Sequence, residues 1–546
     1  MSFIEDMLDA VETAGDRSLL VEIHGPREVA LPARETFGEI RRVRAWLASQ
    51  GVSPGDRVGL LAPNSARWAA VDLALLSFGA IVVPLYARQD VGELAGMLRD
   101  CGAVLTLAGD GALRDALAGA LGEGARVHTF DEALSVDPAQ DPGGREIAPS
   151  DVVTIIYTSG TSGEPKGVRL TRANVDFMLP TTVARLEEAT GSTSPDDRVF
   201  HYLPLCFAGS RILLWTMLRR GNPLLLSTDL TNLVEEMGTA RAQYFLNVPA
   251  LLERIRRGVD ANVAERGGPI AALYARAIRA GLADGGTSGL LDRAALALAE
   301  RVVFPRIREK VGPALKFLIC GSAPLGEATQ RWFELLGIPV LQVYGLTETT
   351  AICTMDRPGR ARAGYVGSAI DGVELRVDED GELLVRGPHV FDGYWGRPEK
   401  TAEAMKGEWF RTGDQAELDA EGRLRVIGRV KNVLVPSSGH NVPPEPIEEA
   451  LQEALPAAEH IVVLGHGRPH LVALVTGPVT DADIQAALDA VNPTLPHYRR
   501  VRAFHRSAEP LTPENGLLTA NQKLRRTVIA AHFAPALDAL YAGAQP

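Results

Sequence analysis

The most hydrophobic window of the chain, Trp68 to Ala87, constrains the fold more than any other stretch. Asp72, Ser77, Gly79 and Pro84 interrupt it, whereas a bilayer span needs roughly 20 consecutive apolar residues with few or no charges. A buried helix that turns at Gly79 into the strand Ala80-Ile81-Val82-Val83 explains it better. The same rhythm surrounds it. Thr36-Phe37-Gly38-Glu39-Ile40 begins a helix ending near Gly51, Val58-Gly59-Leu60-Leu61 is a short strand, and a helix from Arg67 to Phe78 precedes the next one. This strand–helix–strand alternation predicts an α/β layered domain with parallel pairing. At 546 residues the chain exceeds what one hydrophobic core can hold, so two or more domains are expected.

Composition narrows the function classes. Lys+Arg 56 against Asp+Glu 68 leaves a net charge of −12, which argues against general nucleic-acid binding. Cys101, Cys206, Cys320 and Cys353 lie far apart with no metal-type spacing, as scattered buried thiols of a reducing compartment do. The acidic start, Met1-Ser2-Phe3-Ile4-Glu5-Asp6-Met7, lacks a basic segment followed by an apolar one. No leader or transmembrane segment is visible, and a cytoplasmic location is expected. There is no internal repeat, and the Ala/Gly/Asp-rich stretch Ala118 to Gly144 offers no chemistry.

Chemistry begins at Tyr157-Thr158-Ser159-Gly160-Thr161-Ser162-Gly163-Glu164-Pro165-Lys166-Gly167-Val168. It follows a β-rich run, Asp151 to Ile156, and reads as a loop leaving the end of a strand. Its glycines permit backbone conformations closed to other residues, so the loop can turn N–H groups towards an anion. Its hydroxyls and Lys166 add donors suited to phosphate oxygens. No Gly-Lys-Ser/Thr closes it, so it is not a Walker A loop. Alone, such a cluster is as readily a solvated surface loop.

Downstream stretches give it company. Asp197 to Phe207 includes the apolar or small residues Leu203, Leu205 and Cys206. Val259 to Val311 is largely helical, with a run from Leu290 to Arg308. Phe317-Leu318-Ile319-Cys320-Gly321-Ser322-Ala323-Pro324-Leu325 reads as a strand ending in a small-residue turn that a flat ring or an acyl chain can approach closely. In Gln342-Val343-Tyr344-Gly345-Leu346-Thr347-Glu348-Thr349-Thr350, Tyr344 offers a face for a purine. Thr347 is a hydroxyl donor there, and Glu348 is a hard oxygen ligand for Mg²⁺ beside phosphates. Gly381 to Pro388 is an alternating strand, and Gly407-Glu408-Trp409-Phe410-Arg411-Thr412-Gly413-Asp414 ends in a Gly-Asp pair that alone signals a hairpin. Pro443 to Leu451 starts a helix, strands lie near Ile461-Val462-Val463-Leu464 and Leu471-Val472-Ala473-Leu474-Val475, and helices run from Asp481 to Val491 and after Lys523.

In this order and spacing the motifs resemble the adenylate-forming superfamily, over nearly the whole chain and most closely the long-chain fatty acyl-CoA synthetases. The resemblance implies a large N-terminal domain of packed α/β subdomains, 1–428, a hinge at 429–431, and a small C-terminal α/β lid, 432–546. It implies ATP, Mg²⁺ and coenzyme A as cofactors and a carboxylic acid as substrate. Carried over residue by residue, Thr158, Ser159, Gly160, Thr161, Ser162, Gly163 and Lys166 would hold the phosphates. Gly321, Ser322, Ala323, Tyr344, Gly345 and Thr347 would hold the nucleotide. Asp414, whose carboxylate can accept both ribose hydroxyls, would bind the ribose with Arg429. Glu348 and Thr158 would bind the metal, and Lys523, Glu348, Thr347 and Lys166 would serve catalysis. Phe207, Cys320, Gly321, Tyr344 and Gly345 would line the acid's pocket, and Lys431 would be the hinge. The chain departs from the pattern at Phe207, where relatives usually carry His, at His440 in the glycine loop Ser437 to Val442, and at Asn521-Gln522 before Lys523. The acceptor implied is coenzyme A. A carrier-protein thiol, an amine, or a degenerate nucleotide-binding regulator are the alternatives.

Overall fold

The computed structural model describes residues 2–159, 165–194, 196–283, 289–437, 439–519 and 523–542, with Ser159 described in its backbone alone. The chain divides into two compact units. The first comprises Met1–Leu375, Val385–Phe410 and Gly422–Leu424; the second comprises Arg376–Leu384, Arg411–Glu421 and Arg425–Pro546.

Two sheets build the first unit. One has seven strands in the order Gly393–Tyr394, Pro165–Thr171, Val152–Ser159, Ile81–Leu85, Arg57–Leu61, Leu105–Ala108, Val127–Thr129. Its last five strands are parallel, and the first three are joined antiparallel. The other has nine, in the order Ser368–Ala369, Thr354–Met355, Val340–Tyr344, Leu318–Cys320, Tyr244–Asn247, Val199–His201, Leu224–Ser227, Leu20–His24, Arg27–Leu31. The six strands from Val340–Tyr344 to Leu20–His24 are parallel, with antiparallel strands at either edge.

The hydrophobic window resolves as expected. Ala66–Phe78 is a helix capped by Ser65, and it ends at Gly79, whose φ of 87° is the left-handed conformation glycine takes most cheaply. Ile81–Leu85 follows as a strand with every residue buried. Asp72, the charge inside the window, is buried and paired. It accepts from Arg211 Nε (3.2 Å) and Trp215 Nε1 (2.9 Å), while Arg211 also donates to Thr154 Oγ1. The guanidinium lies 4.6 Å from the Trp215 ring. A buried carboxylate survives only when paired and bonded in this way.

The elements depart from the sequence reading in several places. The helix expected from Thr36 starts at Ala33, and Phe3–Ala14, Leu20–His24, Arg27–Leu31 and Val501–Ser507 are elements the hydrophobic pattern left unmarked. The helical stretch is four helices, Pro249–Arg266, Gly268–Leu282, Leu290–Val302 and Phe304–Val311. The phosphate stretch is less loop than expected: Val152–Ser159 and Pro165–Thr171 pair antiparallel, with Thr158 opposite Lys166. The strand Glu382–Arg386 does not alternate, because its first four residues are all buried. Gly413-Asp414 lies within the strand Trp409–Leu418 rather than at a turn.

The second unit carries the three-stranded sheet His460–Leu464, Leu471–Thr476, Val501–Ser507, the first pair antiparallel and the second parallel. Helices Glu445–Ala454 and Asp481–Val491 cover one core cluster, and Leu511, Leu517, Ile529 and Leu537 belong to another. Among the described residues no helix is long and apolar enough to cross a membrane.

Candidate active site

In the first unit, the hairpin and the Tyr-Gly-Leu-Thr-Glu turn share one aromatic cluster. Ile156, Val168 and Leu170 of the hairpin pack with Ala208, Phe391, Tyr394 and Phe410, and Leu346 and Ala351 lie against them. Phe391 meets Tyr394 edge-on at 4.8 Å and Phe410 at 5.4 Å. Backbone bonds complete the tie. Phe391 N–H donates to the Glu348 carbonyl (2.8 Å), Thr350 Oγ1 to the His389 carbonyl (2.7 Å), and Asn174 Nδ2 to the carbonyls of Pro388 (2.8 Å) and Val390 (2.9 Å).

Tyr394, which no motif singled out, joins the two expected side chains. Its hydroxyl donates to Glu348 Oε1 (2.9 Å), and Lys166 Nζ lies 5.0 Å from its ring centre. A carboxylate, a phenol and an ammonium thus form one contiguous group beside Thr158. Gly160, Thr161, Ser162 and Gly163 lie outside the described residues, as does the Ser159 side chain. A Gly-Tyr pair after a Phe-Asp is a weak signal by itself; only strand pairing of Tyr394 with Val168 reveals it.

The pocket residues lie at carboxyl ends of parallel strands, where open α/β sheets bind ligands. Tyr344 ends one strand, Cys320 the next and Asn247 the third, and Leu203 to Phe207 follow the fourth. Gly321 N–H donates to the Asn247 carbonyl (3.1 Å). A Cβ on Gly321 would sit 2.6 Å from Val343 Cγ2, and one on Gly345 would run into the backbone of Ala351 and Ile352. Ser322 (φ 71°), Thr350 (φ 48°) and Ala351 (φ 83°) all hold left-handed conformations. For non-glycine residues such strain costs about 1–3 kcal/mol and gathers at functional sites. Phe207 caps the helix Ala208–Arg220, half-buried, with its ring 5.6 Å from Tyr86. Asn64 pins the segment by donating to the Leu203 carbonyl and accepting from Leu205 N–H, both at 2.8 Å. Asn247 is a second residue that motifs did not mark: it is fully buried, and its side-chain carbonyl has no hydrogen-bond partner among the described residues. Burial raises the Cys320 thiol and pushes that of Cys206 up to about 12, so both stay protonated wall residues rather than nucleophiles.

In the second unit, Asp414 is 5% exposed and pairs with Arg429 Nε at 2.9 Å. Arg429 also donates to the Thr412 carbonyl (3.1 Å). Glu382 organises this segment from beneath. It accepts from Arg411 Nε (2.8 Å), Arg411 NH2 (2.6 Å) and Gly413 N–H (2.9 Å), and Gly413 takes a φ of 72° that directs the strand past it. Lys431 is exposed in the short turn Val430–Asn432, and Lys523 is exposed beside the bridge between Leu518 and Leu524. His440 stacks on Tyr498 with ring centres 4.2 Å apart and planes 14° from parallel.

Glu348 suits a nucleotide-borne Mg²⁺, which takes one or two carboxylates together with phosphate oxygens. One of its oxygens is engaged by Tyr394, and the side chain is half-buried. Among the described residues there is no trio of His, Cys, Asp or Glu side chains grouped to hold a metal unaided.

Comparisons with known proteins identify the family. The family model for AMP-binding enzymes matches residues 9–395, and that for the AMP-binding enzyme C-terminal domain matches 431–545. The chain is 30% identical to the long-chain-fatty-acid–CoA ligase FadD15 of Mycobacterium bovis, with 93% of this chain and 91% of that protein covered. In fold it is similar to the adenylation domain of a carboxylate reductase from Mycobacterium chelonae (TM-score 0.79, 23% identity, 99% and 91% covered). It is similar also to the anthranilate CoA ligase AuaEII in complex with anthranoyl-AMP (TM-score 0.76, 22% identity, 98% of each chain covered). On the extent of these matches, the chain belongs to the AMP-binding enzymes of the adenylate-forming superfamily, among its AMP-forming acyl-CoA ligases.

Proposed function

We propose that this ligase activates a medium- or long-chain fatty acid, or a hydrophobic aryl acid, as its acyl-adenylate and passes the acyl group to coenzyme A. The observation that carries the reading is the contiguous group of Lys166, Tyr394 and Glu348 beside Thr158. A cation beside a carboxylate is the pair of charges that a nucleotide's phosphates and their magnesium call for. The Mycobacterium bovis relative, a long-chain-fatty-acid–CoA ligase, supports both the fatty acid and the acceptor.

The chemistry follows from charge. A carboxylate must attack the α-phosphate of ATP although both are anions. A carboxylic acid is already ionised at neutral pH, its ordinary pKa being about 4 as for carboxyl side chains, so no general base is required. Lys166 and Lys523 offset charge as it builds on phosphorus. Glu348 and Thr158 would hold Mg²⁺, which supplies Lewis-acid charge neutralisation at the phosphates. Tyr344 stacks the base and Asp414 with Arg429 fixes the ribose, so that attack is in line. The turn at Lys431 serves as the hinge between the two half-reactions. Phe207, Tyr86, Leu203 and Gly321 give the acid few polar partners, which favours an apolar chain.

Acid-dependent pyrophosphate exchange over a panel of acids tests the first half-reaction, and AMP release with coenzyme A, a carrier-protein thiol or an amine tests the second. Exchange best with acetate would overturn the substrate class. AMP release that ignores coenzyme A would overturn the acceptor.

A further inference from the structure

Lys523 is exposed, yet its backbone is closely held. Leu518 pairs with Leu524, Thr519 N–H donates to the Lys523 carbonyl (2.8 Å), and Lys523 N–H donates to Thr519 Oγ1 (3.1 Å). Leu518 N–H also donates to the Thr512 carbonyl (3.1 Å), and Leu517 and Leu518 are buried in the core cluster of Val462, Leu464, Ile529 and Leu537 with Leu524 packed against it, so both flanks of Lys523 are seated on the unit. A polar tie comes three residues on, at Arg526, which starts the helix Arg526–His532. Its guanidinium grips Glu448 through both oxygens, NH1 to Oε1 at 2.6 Å and NH2 to Oε2 at 2.5 Å. Val463 N–H also donates to Glu448 Oε1 (2.6 Å). The pair is 14% and 12% exposed, so salt screens it little.

The grip continues. Arg526 NH2 lies 3.9 Å from Glu445 Oε1, and that oxygen accepts from Asn432 Nδ2 at 2.7 Å. Glu445 and Glu448 stand three residues apart on the helix Glu445–Ala454, hence on one face. Asn432 closes the turn Val430–Asn432 that contains Lys431. One chain of polar contacts therefore runs from that turn, across a helix, to the lysine return.

We infer that Glu445, Glu448 and Arg526 are positioning residues, an ionic strut that holds the Lys523 return at a fixed place relative to the Val430–Asn432 turn for the adenylation half-reaction. The inference rests on the roles proposed for Lys523 and Lys431. A bidentate Arg–carboxylate pair fixes direction as well as distance, and because Arg526 lies three residues from Lys523 the pair sets the angle at which that segment leaves the helix Arg526–His532. Misplacement by about 1 Å costs on the order of a hundredfold in rate.

The test measures each half-reaction separately in the full chain. Glu445→Gln, at the less buried end, and Arg526→Lys, which keeps the charge but not the fork, are expected to lower kcat of pyrophosphate exchange by roughly ten- to a hundredfold. The KM for ATP and the conversion of supplied acyl-adenylate to acyl-CoA should stay as in the parent. Should Arg526→Lys fold poorly, Glu445→Gln and Asn432→Ala still report. Wild-type exchange in these variants, with Lys523→Ala inactive in exchange, would overturn the strut alone. Equal loss of both half-reactions with a lowered melting temperature would make the network merely structural and also overturn it. Exchange unaffected by Lys523→Ala would instead remove the reading on which the strut depends.

Discussion

At the scale of single residues, charge placement decides what each side chain can do. Lys523 is exposed with its backbone fixed by Thr519, so its replacement should leave folding intact. Lys523→Ala is expected to lose ~10²–10³ in acyl-adenylate formation, while a supplied acyl-adenylate is still turned over with coenzyme A; pyrophosphate exchange and thioester formation, assayed side by side, check both halves. Asp414 is nearly buried against Arg429. Taking its carboxylate away strands that guanidinium and removes the ribose acceptor, and one charged hydrogen-bonding group contributes about 1.5–3 kcal/mol. Titration calorimetry of Asp414→Ala with ATP should therefore record an affinity weaker by roughly ten- to a hundredfold. Unaltered ATP affinity would contradict the ribose role. Lys523, Lys166, Glu348 and Asp414 could each be singled out from the sequence, because each sits in a contiguous motif. Tyr394, Asn247 and Glu382 were not, because each acts on residues distant in sequence through strand pairing or a buried bond.

At the scale of elements, the strand Val340–Tyr344 shows how a site strand is braced. Gln342 donates its backbone N–H to Asp356 Oδ2 (2.9 Å) and accepts from Asp356 N–H at its carbonyl (2.9 Å), while its side chain donates to Gln330 Oε1 (2.6 Å). Asp356 is 2% exposed, and burial raises its carboxyl to about 7, against the pull of the Gln342 N–H. A folded-state pKa raised above the unfolded value means that the folded chain binds a proton the unfolded chain has released. That stabilisation is complete below the ordinary carboxyl range near pH 4 and is lost as pH rises through about 7. The shift corresponds to about 4 kcal/mol at ~1.4 kcal/mol per unit. Asp356→Asn keeps the acceptor but cannot ionise, so its melting temperature should fall less than the parent's between about pH 5 and pH 8. Parallel falls in parent and variant would show that Asp356 does not govern this transition. Strand and helix boundaries were mostly readable from periodicity and glycine punctuation. The strand Glu382–Arg386 was misread because Glu382 looks solvent-facing in sequence, while its bonds to Arg411 and Gly413 let it be buried.

At the scale of the whole molecule, the two α/β units divide the chemistry. The first holds the hairpin, the strand Val340–Tyr344 and the residues proposed to wall the acid; the second holds Asp414, Arg429 and Lys523. The acid pocket is where specificity should be measurable. Each methylene buried contributes about 0.8 kcal/mol, so exchange efficiency should climb by roughly fourfold per carbon until the pocket is filled. Phe207→Ala removes a ring that packs on Tyr86 and is expected to move the optimum to longer or wider acids. A chain-length profile identical to the parent's would reduce Phe207 to packing alone.

What the sequence determined by itself is what local chemistry dictates. Alternating strand and helix patterns required an α/β fold, and contiguous motifs such as Thr158 to Lys166 and Tyr344 to Glu348 carried the family resemblance that points to adenylation. Tertiary structure decided what depends on contacts between segments far apart in the chain. Parallel pairing brought the ends of Tyr344, Cys320 and Asn247 side by side. A strand of two residues delivered Tyr394 to Glu348 and Lys166. Burial turned ordinary surface-type residues, Asp72, Glu382 and Glu448, into paired charges that brace Arg211 beside the strand Val152–Ser159, the segment Arg411 to Gly413, and Arg526. A local pattern cannot encode these partners, because a charge is tolerated in a core only where the fold supplies the matching group.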